Sequence, residues 1–158
     1  MRNEEIHAGL KIGGLLYLLA IGIVLAPIRM IIFTIVTFAP VILDGTIVSL
    51  FVSGENYNPM LGILLVVEII VNTFLILAFI FLAVVFFRRS RYFPPLYVFL
   101  FIFNLLFIII DQILVYAILP DLDFDPTIYR EAGIMLVVGS LWSTYLFVSK
   151  RAKNTFVN

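Results

Sequence analysis

Arg29, Glu68 and Asp111 each interrupt an apolar run long enough to cross a bilayer. A charge at the centre of a membrane helix costs about 2.5 to 3.5 kcal/mol on the insertion scale, so such residues seek one another in the protein interior and mark the first place to look for function. The planar guanidinium of Arg29 can bridge two carboxylates through separate N–H donors. The three together carry one excess negative charge. One of the carboxyls is therefore expected to hold a proton, or a cation or water cavity to compensate. Two carboxylates sharing a proton beside an arginine form a proton relay, whereas the same set with no proton traffic is a staple that fixes helix register. With no other sign of catalysis in the chain, the staple outweighs the relay.

The elements that must hold these residues follow from composition. Of 158 residues, 63% are hydrophobic and only 13% charged, against about 25% charged in an average soluble domain. A soluble protein of this size has no interior large enough for that much apolar surface. A bilayer core of about 30 Å asks for roughly 20 apolar residues per helix, and four runs meet that length: 12–43, 60–87, 95–119 and 128–148. The expected fold is all-α, a single domain over residues 1–158, with transmembrane helices near 12–40, 60–87, 95–119 and 126–149.

Eight of the ten basic residues fall in three places: Arg2 and Lys11 at the N-terminus, Arg88, Arg89 and Arg91 in the second connection, and Lys150, Arg151 and Lys153 at the C-terminus. The two other connections hold only Arg130 and are otherwise acidic, with Asp44, Glu55, Asp121, Asp123, Asp125 and Glu131. Positive charge stays on the cytoplasmic side, which predicts a bundle with both termini inside. The start lacks the strongly basic head of a secretory signal and its apolar run outlasts a cleaved signal core, so it is expected to stay as the first helix.

The first run would extend about 48 Å as one straight helix, longer than the bilayer requires. A bend is expected at Pro27 and an exit at Pro40 and the Asp44-Gly45 pair, followed by a short interfacial helix over 46–52. The second and third helices should form a hairpin through Arg88–Pro95. Asp125 and Pro126 read as the N-cap and first residue of the fourth helix.

Spacing assigns a polar or small stripe to each helix: Gly22, Ala26 and Arg29; Glu68 and Asn72; Asn104 and Asp111; Ser140, Ser143 and Thr144. Such stripes are expected to turn toward neighbouring helices. Asn72 and Asn104 are expected to be interhelical glue rather than ligands. Counted from the helix ends, Glu68 lies about 12 Å and Asp111 about 13 Å from the outside, and Arg29 about 25 Å from the inside, compatible with one layer.

Other chemistry is largely excluded. The absence of cysteine removes disulfides, thiolate metal sites and a cysteine nucleophile, and the single histidine, His7, removes a histidine metal site within one chain. The run Asp121-Leu122-Asp123-Phe124-Asp125 opens like a calcium loop, but its sixth position is Pro126 and its twelfth Ala132, which excludes an EF-hand. No phosphate loop or nucleophile elbow appears. No metal, cofactor or nucleic acid is expected. The cytoplasmic basic residues suit anionic headgroups, although topology already accounts for them. Gly9 with Gly13, and Gly139 with Ser143, fit close helix contact. Tyr92, Tyr97, Tyr129, Trp142 and Tyr145 suit interfacial anchoring, with Trp142 alternatively a packed interior ring.

Several stretches together resemble a family of bacterial four-helix inner-membrane proteins, domain of unknown function 2569. They are Ile12-Gly13-Gly14-Leu15-Leu16 with Pro27-Ile28-Arg29, Arg91-Tyr92-Phe93-Pro94 with Tyr97, Asp111, and Trp142–Tyr145 running into Ser149-Lys150-Arg151-Ala152-Lys153-Asn154-Thr155-Phe156-Val157. The chain departs from the family pattern at Leu15, where an aromatic is usual, and at Thr144, where a proline is. The resemblance implies the fold and a bacterial inner-membrane setting, and supplies no activity.

The expected function is that of a non-enzymatic membrane protein, an accessory or assembly module whose partners are copies of itself or another membrane protein. Four short helices enclose little volume, which favours helix-to-helix interaction over a substrate chamber. The alternative is a small proton-coupled transporter using Glu68, Asp111 and Arg29, and an enzyme acting on lipid ranks third. The substrate, if there is one, is not legible.

Overall fold

Gly14 stands at φ 60°, ψ −136°, a conformation that a side chain disfavours, and this sharp turn opens the first helix, α1 (Leu15–Leu43). The computed structural model describes residues 11–122 and 126–157. Arg2, His7, Gly9, Asp123 and the expected N-cap Asp125 lie outside them.

α1 continues as one 29-residue helix through both Pro27 and Pro40 and ends at Asp44, the later of the two expected exit markers. In lipid, ending a helix frees several carbonyls, whereas a proline inside it removes one hydrogen bond, so continuation is the cheaper course. Gly45 then takes the left-handed conformation at φ 78°, and the Asp44 Oδ1 accepts from the Thr46 N–H at 2.9 Å. The interfacial helix that follows is shorter than expected, α2 (Thr46–Ser49). Leu50 is buried, and the Phe51 ring sits 2.7 Å from where a Cβ on Gly62 would be, so that glycine seats the connection on the next helix.

α3 (Pro59–Phe87) begins on an Asn-Pro pair: Asn58 Oδ1 accepts from the Leu61 N–H at 3.1 Å and Pro59 occupies the first turn. It ends in a Schellman turn. The Ser90 N–H donates to the Val85 carbonyl at 3.2 Å and the Arg89 N–H to Phe86 at 2.9 Å, with Arg89 at φ 53° in the position usually given to glycine. Arg91 lies over the Tyr92 ring, 5.0 Å from its centroid. α4 (Phe93–Ile118) then starts with Pro94 and Pro95 in its first turn, completing the expected hairpin.

α5 (Pro126–Val148) is followed by an element that the sequence analysis missed, α6 (Lys150–Thr155). The chain breaks at extended Ser149, whose Oγ accepts from the Ala152 N–H at 3.4 Å as an N-cap. A serine followed by a short polar run before Phe156 was the available signal. It was obscured by the basic residues, which read as topology.

α1 packs on α3, α3 on α4 and α4 on α5, and α6 follows α5 directly across Ser149; the α1–α5 seam is looser than the packed pairs. The main core lies at the end where α1 starts, around Leu16, Leu19, Leu82, Phe86, Phe93, Leu100, Leu146, Ala152 and Phe156. Phe156 stacks on Phe93 at 4.7 Å and tilts against Phe86 at 5.5 Å. Tyr97, Trp142 and Tyr145 pack beside this core, whereas Tyr92 and Tyr129 are exposed. The Arg151 guanidinium lies directly on Gly13 and Gly14, so the two ends of the described chain meet.

Candidate functional site

α3 and α4 place two carboxyl groups together. The Asp111 side chain is within hydrogen-bonding reach of Glu68, and both residues are half-buried. Glu68 is about 13 Å from the start of α3, and Asp111 about 10 Å from the end of α4, so the antiparallel hairpin brings them to one level. Gln112 Nε2 donates to Asp111 Oδ2 at 3.4 Å, while Asp111 Oδ1 is buried without a donor. Asn72 does not cross to a neighbour as expected: its Nδ2 donates to the Glu68 carbonyl at 2.9 Å, within α3.

Arg29 is not part of this pair, which overturns the expected buried Arg29–Glu68–Asp111 cluster. Its guanidinium reaches Glu131 on α5 at 3.4 Å, and the pair is exposed, with 79% of the Arg29 side chain and 58% of the Glu131 side chain open. The reason is angular. α1 buries Leu16, Leu19, Ile23, Pro27 and Phe38, and Arg29, two residues beyond Pro27, points about 200° away from it. Glu131, grouped by sequence with the acidic residues of the outer connections, lies inside α5. Its distance from the inner end of α5, about 25 Å, is near the roughly 21 Å that separates Arg29 from the start of α1, and was the signal that could have found it.

The remaining polar residues divide similarly. Asn104 Nδ2 does cross, from α4 to Met135 Sδ on α5 at 3.7 Å. Ser143 Oγ bonds back to the Gly139 carbonyl at 2.7 Å, and Gly139 itself is covered by the Phe101 ring. Ser140 and Thr144 are exposed rather than turned inward, on the open side of α5 beside Leu136, Val137 and Leu141. The helix uses Gly139 and Leu146 to meet α4, which leaves Ser140 and Thr144 on another side.

The basic residues gather around the end that holds the core. Arg88 caps α3, Arg89 makes its turn, and Lys150, Arg151 and Lys153 lie on α6. Arg151 is engaged with the glycine pair and is not simply a free headgroup contact. Among the described residues, no three histidine, cysteine, aspartate or glutamate side chains are grouped to hold a metal.

Four helices, each long and apolar enough to span a bilayer, define a multi-pass membrane protein in contact with lipid. The chain belongs to the family described as protein of unknown function (DUF2569), whose model matches residues 10–157. No curated protein matches the chain, and no solved structure does.

Proposed function

We propose that this protein is a non-enzymatic assembly module of the bacterial inner membrane, with both termini cytoplasmic, that works by docking against another membrane protein surface. The observation that carries this is the exposed Arg29–Glu131 pair. Arg29 is the central residue of α1, with fourteen residues on either side, yet its side chain is open. A charge pair facing acyl chains at that depth forgoes the several kcal/mol that a polar or protein neighbour supplies. A protein partner that covers it removes the cost and gains specificity through the charges.

The cytoplasmic placement of the termini is supported by the eight basic residues at the N-terminus, the α3–α4 turn and the C-terminus. A second reading is favoured by the Glu68–Asp111 pair and the orphaned Asp111 Oδ1: a carrier that loads a proton between two carboxyls. Reconstitution in liposomes separates the two. The assembly module gives no saturable proton or solute flux when purified alone; flux abolished by Glu68→Gln would establish the carrier instead.

A further inference from the structure

We infer that the partner covering the Arg29–Glu131 surface is a second copy of this chain, docked face to face about a two-fold axis across the α1–α5 seam. The inference rests on the assembly reading above and names its partner. A two-fold interface uses the same patch on both subunits, so a patch that docks on itself must carry its own complement. This one does: a cation from α1 and an anion from α5 stand 3.4 Å apart on one open surface. Rotation by 180° sets each Arg29 beside the other copy's Glu131, turning one exposed pair into a four-membered network of alternating charge.

The surroundings suit close approach. Gly22 lies seven residues before Arg29 on the same stripe of α1, and a Cβ there would meet nothing within 4 Å. Leu25, Ile32 and Val36 flank that stripe and are 55%, 58% and 69% exposed. On α5, Val138, seven residues after Glu131, is 45% exposed. α1 and α5 also pack less closely on each other than α1 does on α3 or α4 on α5.

The chain has no cysteine, so single cysteines report contacts cleanly. Leu25→Cys, Ile32→Cys and Val36→Cys are made in the full chain in native membranes and oxidised, with Ile113→Cys on α4 as the distant control. At least one seam position is expected to give disulfide dimers that the control does not. Arg29→Glu makes the patch wholly acidic and Glu131→Arg makes it wholly basic. Each alone is expected to reduce cross-linking about tenfold through like-charge repulsion, and co-expression of the two is expected to restore it as a heterodimer.

Arg29→Gln and Glu131→Gln keep the helices without introducing repulsion and are expected to shift the same way, with helical content by circular dichroism unchanged. A native chain that stays monomeric in lipid nanodiscs by native mass spectrometry would overturn the proposal. So would cross-linking that ignores the charge changes, or a monomer whose Arg29 surroundings respond only to anionic lipid, which would assign the cover to a headgroup. Flux in liposomes would remove the assembly reading without changing the cross-linking result. Loss of the dimer leaves the flux assay as it was, so the two failures are distinguishable.

Discussion

Arg89 carries backbone strain for the sake of the α3–α4 turn. A non-glycine residue in the left-handed region costs about 1 kcal/mol, and a β-branched one more, because its Cβ crowds the backbone. Arg89→Gly and Arg89→Val both delete the guanidinium, so their difference reports the backbone alone. The glycine variant is expected to be the more stable by about 1 to 2 kcal/mol in thermal unfolding in mild detergent. Asp44, at the other end of the molecule, is held below its ordinary carboxylate range by hydrogen bonds from the Thr46 hydroxyl and N–H. Because the folded state favours the ionised form, this support is complete above the ordinary range and is lost as pH falls through the lowered value. Amide exchange at Thr46 should lose protection as pH falls through and below the ordinary carboxylate range, and Asp44→Asn should abolish that dependence.

At the scale of elements, α6 converts a charged tail into a plug. Ala152, Thr155 and Phe156 are buried, and Phe156 contacts rings from both α3 and α4. Phe156→Ala removes these contacts and is expected to cost about 3 kcal/mol in thermal unfolding, with α6 becoming accessible to protease. The seating of α5 on α4 depends on Gly139, whose missing side chain admits the Phe101 ring. Gly139→Val should force that ring aside and destabilise the bundle by about 1 to 3 kcal/mol in the same assay. Both predictions concern contacts between helices. In lipid the helices themselves persist, because their backbone hydrogen bonds have no alternative partner.

Across the whole molecule, packing and polarity are unevenly distributed. The principal core closes one end, whereas the charged pairs lie nearer the other, Glu68 with Asp111 between α3 and α4 and Arg29 with Glu131 at the α1–α5 seam. This division suits a module with one rigid end and one interactive one. The proposed orientation has a direct check: in right-side-out bacterial cells, Glu55→Cys is expected to react with a membrane-impermeant maleimide, and Ser90→Cys only after permeabilisation. The reverse labelling would place the termini outside.

Residue order alone was sufficient for the four spans, the α3–α4 hairpin and three of the four charges in the two pairs, Arg29, Glu68 and Asp111, because length, hydropathy and proline placement act locally along a helix. Heptad spacing also tells which side chains share a face. It does not tell which neighbour that face meets, and there the sequence reading of Arg29 failed. The partner of Arg29 depended on how α1 rotates when Leu16, Leu19, Ile23 and Pro27 bury against the bundle, a choice made by packing among helices distant in sequence. The same holds for Arg151 on the glycine pair, where 137 positions of chain separate groups that touch. Tertiary structure alone divided one expected charge cluster into a half-buried carboxyl pair and an exposed ion pair.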